Sequence, residues 1–271
     1  MFLLVTKVPD LNSPNSSSHA SSQKEFIPTQ RDKFTLLITL KKEEGLPPYA
    51  YFLLGMNGID KSVTVTRLFK ETALTPQGEN TKILWEEHQK NGIDGAVNSI
   101  NSLFNISISR YIEFTNTSLQ GFFSLFDEVV FDIPENLSQI DRENDIYIKI
   151  DKGRQLLSSI ALIDLISYSN WQGGKDEALE QSAKMISEFI KQNREALSLK
   201  DTTLAEDYIL QKTKTNISVL DIEKNRDLVS FLLLDCEDSI SFLAAKGETL
   251  VDGTAFYLSQ NSIKEISERY R

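Results

Sequence analysis

The alternation of strand and helix patterns after residue 33 most strongly limits what this chain can fold into. The uninterrupted apolar run at residues 34–40 predicts a strand buried on both faces. Residues 49–56 and 61–68 predict two more strands, and Asn57-Gly58 between them favours a tight hairpin turn. The first part of the chain therefore predicts an antiparallel hairpin beside a buried strand.

Helical periodicity follows the hairpin. Asn91-Gly92 precedes a predicted helix over residues 94–105, and residues 176–193 have the clearest amphipathic pattern, with Asp176 placed to cap the helix. Residues 136–145 are predicted to be a polar connection. Further strands are predicted at residues 111–114, 129–133, 146–150 and 239–244, and further helices at 119–126, 156–167, 203–211, 218–234 and 263–270. The order predicts an α/β fold in which a mixed central β-sheet is flanked by helices on both faces.

The N-terminal segment has a different composition. Residues 9–31 are rich in Ser, Asn, Pro and Gln, so we predict a disordered linker over residues 1–32 and a single domain over residues 33–271. No apolar stretch approaches the roughly 20 residues that a membrane-spanning helix needs. The apolar start Met1–Val5 is too short for a signal peptide. It is either the remnant of a longer anchor or a flexible start, and the sequence leaves both open.

Charge and rare residues exclude several classes of function. The net charge is −10, and a negative field repels phosphate backbones, so the sequence predicts no nucleic-acid partner. Cys236 is the only cysteine, which excludes an intramolecular disulfide and a thiolate metal cluster. With two histidines in the chain, a Cys-His or Ser-His-Asp nucleophile system is disfavoured.

Four segments of the sequence carry a family resemblance. Residues 66–72 end the predicted hairpin in a phrase similar to Ser-Ile-Pro-Arg-Asp-Thr, and residues 92–111 contain a glycine-led helix followed by an aromatic strand. Residues 121–127 begin with Gly-Phe before a valine-rich strand, and residues 153–162 contain Gly-Arg-Gln-Leu followed by Ala-Leu. In this order and spacing, the segments resemble the LytR-CpsA-Psr family of cell-envelope proteins over residues 33–271.

The resemblance implies a definite chemistry. Active members of the family transfer glycopolymers from a polyprenyl-pyrophosphate carrier to peptidoglycan. Such a reaction develops charge on phosphate oxygens, so the site requires clustered arginines and carboxylates that hold Mg²⁺. The lipid requires an apolar cavity between the sheet and the helices.

The chain departs from the family pattern at most of the charged positions. No carboxylate occupies residues 48–50, where the family has an aspartate, and Lys70-Glu71 replace an Arg-Asp pair. Lysine keeps the positive charge there but lacks the bidentate guanidinium fork. Ile166 and Tyr168 stand approximately where the family has two arginines, and the Gly-Arg … Arg-Gln phrase becomes Gly-Lys … Glu-Gln over residues 174–181.

The resemblance nevertheless leaves candidate site residues. The candidates for phosphate binding are Lys70, Arg154, Gln155 and Lys175, and the candidate for metal binding is Glu71. Each has an alternative interpretation, because Lys70 and Glu71 can form a solvated hairpin end and Arg154 can be an ordinary surface arginine. Lys175 lies near a predicted helix start, where backbone N–H groups favour anions.

Two functions from different classes follow from these residues. The first is a non-catalytic or weakly catalytic envelope protein that binds polyprenyl phosphate or acts as an interaction module, without a cofactor. The second is an active, Mg²⁺-dependent phosphotransferase that moves glycopolymers and uses Lys70, Glu71, Arg154 and Lys175 as its charged set. Both place the domain outside the cytoplasm at the bacterial cell surface, anchored to the membrane in a longer form. Three or more cations meeting at the mouth of an apolar tunnel would favour the enzyme.

Overall fold

The computed structural model describes residues 26–76, 81–141, 146–198, 204–250 and 253–271. The strands are β1 (Lys33–Lys41), β2 (Ala50–Asn57), β3 (Ser62–Phe69), β4 (Arg110–Thr115), β5 (Val129–Ile133), β6 (Leu137–Asp141), β7 (Ile146–Ile150), β8 (Gly153–Leu157), β9 (Lys214–Thr215), β10 (Ile240–Phe242), β11 (Gly247–Thr249) and β12 (Phe256–Leu258). The helices are α1 (Leu84–Phe104), α2 (Asn116–Phe123), α3 (Ser159–Ser167), α4 (Gly174–Gln192), α5 (Arg194–Leu197), α6 (Leu204–Lys212), α7 (Val219–Ser230) and α8 (Gln260–Tyr270). A π-helical turn, Phe231–Asp235, follows α7.

A mixed six-stranded sheet forms the centre of the domain. Its strand order is β10-β3-β2-β1-β4-β9. The pairs β1–β2, β2–β3 and β4–β9 are antiparallel, whereas β1–β4 and β3–β10 are parallel. The predicted buried strand and hairpin are thus confirmed, with Asn57 opposite Ser62 at the turn.

Each face of the sheet buries its own apolar cluster, because successive side chains of a strand point to opposite faces. Leu36 and Phe52 pack with α2, α3, α4, β5 and β8 on one face, called here the α4 face. Leu37 and Leu53 pack with α1 and α8 on the other, the α1 face. The predicted α/β architecture with helices on both faces is confirmed.

Several local predictions need correction. The first helix begins at Leu84, ten residues before the predicted start, and continues through Gly92, which has a positive φ of 68°. Glycine tolerates this conformation without a steric penalty, so it bends the helix where we predicted a boundary. The predicted polar connection at residues 136–145 contains β6, which pairs with β7 in a hairpin.

The predicted helix over residues 156–167 also begins too early. Residues 153–157 form β8, which pairs with β5, and α3 begins only at Ser159. The side chain of Ser158 accepts a hydrogen bond from the Ala161 N–H and caps the helix. Apolar residues continue from the strand into the helix, which concealed the boundary.

The C-terminal helix is attached to the sheet through Tyr270. Its buried hydroxyl lies 2.9 Å from Thr66 Oγ1 and 3.0 Å from the Leu53 carbonyl oxygen. The ring passes over Gly55, where a Cβ would lie 2.8 Å from it. Glycine at residue 55 therefore allows α8 to pack against the strands.

The N-terminal prediction falls largely outside the described residues. Residues 1–25 of the predicted linker are not among them, and Phe26 lies 5.4 Å, ring to ring, from Phe231. In the described part of the chain, no helix combines the length and the apolar character needed to cross a bilayer.

Candidate functional site

The candidate site lies on the α4 face, where β3 ends and α4 begins. Helix α4 packs directly on β3. Strand β3 ends at Phe69, and Lys70 and Glu71 follow at once. Two sequence-predicted positions, the hairpin end and the start of the long helix, therefore meet in the structure.

Arg67 is the residue that sequence reasoning missed. It is only 4% exposed, and its Nη1 donates to the Ala178 carbonyl oxygen at 3.1 Å and to Ser182 Oγ, both on α4. The Nε atom is buried and has no hydrogen-bond partner among the described residues. The alternation of side chains along a strand could have indicated its position, because Val63, Val65 and Arg67 must share one face.

Burial controls the electrostatics of this guanidinium. It lowers the pKa of Arg67 to about 10, while Tyr49 and the Glu71 carboxylate act in the opposite direction. The guanidinium is therefore still protonated at neutral pH, inside a poorly solvated site. An unsolvated cation of this kind attracts an anion more strongly than a surface lysine does.

Two cationic side chains lie against the ring of Phe69. The Arg67 Cζ lies 5.7 Å and the Lys175 Nζ 5.4 Å from the ring centroid. Lys70 follows Phe69 in the chain, and its ammonium lies 3.6 Å from a Glu71 carboxylate oxygen. The structure thus brings Arg67 and Lys175 to the same ring, and Lys70 and Glu71 follow that ring in the chain.

Asp176 does not cap α4 as predicted. The residue at the cap position is Gly173, which provides no side-chain hydrogen bond. The Asp176 Oδ1 instead accepts a hydrogen bond from the Gly247 N–H at 3.2 Å, and so connects α4 to β11. The acidic side chain still lies in the first turn, where it favours the helix dipole.

Tyr49 and Asp164 complete the polar surroundings of Arg67. The Tyr49 hydroxyl donates to Asn116 Oδ1 at 2.8 Å, and burial raises its pKa well above the usual range. Burial also raises the pKa of Asp164, which acts electrostatically on Tyr49. A neutral phenol therefore lies within residues 48–50, where the family has an aspartate, and Asp164 is only partly buried.

The positions of the two family arginines are apolar and inside the core. Ile166 is fully buried, and Tyr168 packs edge-on against Trp171 with centroids 5.4 Å apart. Trp171 Nε1 and Gln181 Oε1 are buried polar atoms without a partner among the described residues. The two positions that the resemblance assigns to arginines therefore contribute packing and no positive charge.

Arg154 and Gln155 lie elsewhere. They belong to β8, where Arg154 is opposite Asp132 and Gln155 opposite Phe131 in the ladder with β5. Arg154 is exposed. Within the described residues, no hydrogen bond or ion pair joins either of them to Lys70 or Lys175.

Aromatic rings from β4, α2 and α4 pack together on the α4 face of the sheet. Phe122 has ring contacts with Phe114, Phe126 and Phe189, at centroid distances of 5.5, 5.1 and 6.5 Å. Phe123 lies 4.9 Å from Phe189. Aromatic pairs at these distances stabilise a packed core.

The described residues do not form a built site for Mg²⁺. They contain no group of three or more His, Cys, Asp or Glu side chains placed to hold a metal ion. Glu71, the candidate ligand, already faces the Lys70 ammonium. Because Mg²⁺ prefers several oxygen ligands in octahedral geometry, this single neutralised carboxylate does not fit it without further donors.

A second buried charge cluster lies on the α1 face. The Glu113 carboxylate is 2% exposed and contacts the Lys41 ammonium, the Lys214 ammonium at 2.7 Å and His88 Nε2 at 3.3 Å. His88 Nδ1 in turn lies 3.1 Å from the Tyr51 hydroxyl. Burial alone would raise the pKa of Glu113, but hydrogen bonds from His88, Lys214 and Lys41 hold it well below its usual range.

Comparison with known structures identifies the fold. A protein of Eubacterium siraeum described as a transcription regulator matches with a TM-score of 0.78 and 20% identity, covering 97% of this chain and 98% of its own. B. subtilis TagV matches with a TM-score of 0.67 and 13% identity, covering 89% and 96% of the two chains. TagT bound to LI-WTA matches with a TM-score of 0.66 and 15% identity, covering 92% and 93%. At these identities the likeness shows the fold alone.

The sequence comparisons identify the family. No curated protein matches this chain. The LytR_cpsA_psr family model matches residues 49–271, which is most of the chain and includes every strand of the sheet except β1, together with α4. This chain therefore belongs to the LytR-CpsA-Psr family of cell-envelope proteins.

Proposed function

We propose that this protein binds the phosphate group of a polyprenyl-phosphate lipid at the end of β3 and has little or no transferase activity. One observation carries the proposal: Arg67 and Lys175 lie against the same Phe69 ring, and Lys70 follows that ring in the chain. Clustered cations at a partly buried position are what an anionic headgroup requires.

The same observation argues against efficient transfer. Cleaving a phosphoanhydride requires donors that stabilise the charge developing on several phosphate oxygens. Arg67 is already hydrogen-bonded to α4, Lys70 is partly neutralised by Glu71, and Tyr168 supplies no charge. These cations suffice for binding a monophosphate, but they stabilise poorly the negative charge that develops on the leaving phosphate.

The structural neighbours support the class of ligand. TagT has been solved bound to LI-WTA and to LIIa-WTA. We take this as support for a lipid-linked glycopolymer as the physiological ligand here. The proposal places the domain on the outer side of the bacterial membrane, held there by an anchor in a longer form of the protein.

An active phosphotransferase is the second candidate function. The Lys70–Glu71 pair favours it, because the pair retains the charge signs of the family's Arg-Asp phrase. It would have to recruit Mg²⁺ through Glu71 and the substrate's own phosphates, and the proposed binding function requires no metal.

Thermal unfolding with geranylgeranyl phosphate tests the proposal. We expect the melting temperature to rise by about 5 °C or more at saturating ligand, equally with and without Mg²⁺. Geranylgeraniol, which lacks the phosphate, is the control and should give a much smaller shift.

Geranylgeranyl diphosphate separates the two functions. We expect it to bind without catalysed release of inorganic phosphate. Mg²⁺-dependent phosphate release would support the transferase instead, and the absence of any shift with the monophosphate would refute lipid-phosphate binding.

A further inference from the structure

The end of the sheet opposite the candidate phosphate site is built from three segments of the chain. Strand β3 begins at this end with Ser62 and reaches Phe69 only at its other end. A small cleft here is lined by the start of β1, by residues on both sides of the β2–β3 turn and by the end of α8. The surface, called here the basic end, comprises residues 26–33, 57–62 and 267–271.

Hydrogen bonds and packing hold these three segments together. The Gly58 N–H donates to the Asp32 carbonyl oxygen at 2.8 Å, and a Cβ at Gly58 would lie 2.7 Å from the Pro28 Cβ. The Lys33 ammonium donates to the Arg271 carbonyl oxygen at 2.7 Å. The basic end is therefore one surface, and its shape is set by the fold.

Cations outnumber acids at the basic end, although the whole chain has a net charge of −10. Its cations are all exposed, and they are Arg31, Lys33, Lys61, Arg269 and Arg271. Its acids are Asp32, Asp60 and Glu268. A region of positive charge on an acidic protein directs that region towards an anionic surface.

The acids at this end already have partners. Asp32 accepts hydrogen bonds from the N–H and the hydroxyl of Thr29, and Asp60 accepts one from Asn57 Nδ2 at 2.8 Å. The cleft itself is lined by Lys33, Arg269 and Arg271 and by no acidic side chain. Positive charge is therefore concentrated where β1 begins beside the end of α8.

Two isoleucines project from the same surface. Ile27 is 75% exposed and Ile59 is 46% exposed. Ile27 precedes Pro28 and Ile59 follows Gly58, so the two isoleucines flank the contact between Pro28 and Gly58. Apolar side chains among cations suit the interface of an anionic bilayer, because the apolar groups enter the headgroup region while the cations stay at the lipid phosphates.

The N-terminal part of the chain also enters the domain here. Residues 1–25 join the described part at Phe26, whose ring lies 5.4 Å from that of Phe231. The anchored form in the proposed function would therefore connect the basic end to the membrane. Such a connection raises the effective concentration of the surface at the bilayer, so a weak contact suffices.

We propose that the basic end contacts the anionic surface of a phospholipid bilayer. Lys33, Arg269 and Arg271 bind lipid phosphates, and Ile27 and Ile59 enter the headgroup region. Each cation close to such a surface strengthens binding about fivefold. The proposal rests on the proposed function only for the anchor that brings this end to the membrane.

Cosedimentation of the full chain with lipid vesicles tests the proposal. We expect binding to vesicles of phosphatidylglycerol and phosphatidylcholine in equal parts, little binding to phosphatidylcholine alone, and weaker binding as NaCl screens the charges. Lys33→Gln/Arg269→Gln/Arg271→Gln should weaken binding about 100-fold, because three cations are lost. Ile27→Ser/Ile59→Ser should weaken it about tenfold, because two apolar side chains no longer leave water.

The matched control removes the same charge elsewhere. Lys90→Gln/Lys152→Gln/Lys264→Gln replaces three exposed lysines outside the basic end and should bind almost as the parent chain does. Equal weakening in the two triple variants would overturn the proposal, because net charge alone would then explain the binding. No binding to the mixed vesicles, or equal binding to phosphatidylcholine alone, would also overturn it.

The phosphate site and the basic end can be tested separately, because these vesicles contain no polyprenyl phosphate. Lys70→Ala/Lys175→Ala should weaken binding of geranylgeranyl phosphate and leave vesicle binding intact, and the variant of the basic end should do the reverse. Loss of vesicle binding in the Lys70→Ala/Lys175→Ala variant alone would place the membrane contact at the end of β3 and overturn the proposal.

Discussion

Replacing Glu113 by glutamine is expected to lower the free energy of unfolding by about 3–5 kcal/mol, because it leaves buried charge uncompensated. Lys41 is only 11% exposed and cannot easily reach water when the carboxylate is gone. Lys214 is 58% exposed and can turn away, so most of the cost arises from Lys41 and His88. The amide keeps the shape of the side chain, which separates charge from packing.

Urea-induced unfolding at neutral pH measures this effect. Glu268→Gln is the matched control, since Glu268 is 66% exposed and lies 3.8 Å from Lys264 on the surface of α8. The control should change stability by less than about 0.5 kcal/mol. A loss below about 1 kcal/mol in Glu113→Gln would show that the cluster does not hold β1, β4, β9 and α1 together.

The difference between Glu113→Gln and the parent chain should depend on pH. The pKa of Glu113 in the folded state lies below its unfolded value near 4.3, so the carboxylate contributes its full stability above that pH. The contribution is lost as the pH falls from about 5 towards the folded pKa. We therefore expect the stability difference to be largest at neutral pH and to shrink in acid.

Replacing Arg67 by alanine is expected to cost about 2–5 kcal/mol, because it leaves a cavity between β3 and α4. Arg67→Met should cost less than about 1.5 kcal/mol, since methionine fills similar volume and removes a buried charge that must be desolvated. Ser182 Oγ keeps its own hydrogen bond to the Ala178 carbonyl oxygen at 2.7 Å, so the Met variant leaves neither of these atoms without a hydrogen-bond partner.

The same urea titration compares the two Arg67 variants. A stable Arg67→Met protein would show that packing does not require the guanidinium, leaving charge as the reason for having arginine at this position. Equal destabilisation of both variants would instead make Arg67 a structural connection between sheet and helix.

Much of the fold could be predicted from local pattern. The apolar run of β1 and the Asn57-Gly58 turn are short-range signals that tertiary contacts did not override. Strand β6 was missed because its sequence, Leu-Ser-Gln-Ile-Asp, contains only two apolar residues and shows no clear alternation. The strand pairs only with β7 in a two-stranded hairpin, where Ile140 is exposed. Strand β8 was missed because its apolar residues run on into α3.

The site was harder to predict because it depends on which helix covers which strand. Alternation places Arg67 and Val65 on one face, but only the packing of α4 on β3 makes the guanidinium buried. The same packing brings Lys175 against Phe69, whereas Arg154 belongs to a separate ladder. Sequence motifs offered candidate charged residues but could not show which of them lie close together.

The affinity for geranylgeranyl phosphate in two double variants tests whether the end of β3 recognises the phosphate. We expect Lys70→Ala/Lys175→Ala to weaken binding by about 10–100-fold, because each ammonium contributes a charge-assisted contact. Arg154→Ala/Gln155→Ala should leave the affinity unchanged, since both residues lie on the β5–β8 ladder. Unchanged affinity in the lysine variant, with loss in the Arg154 variant, would contradict the proposed phosphate site.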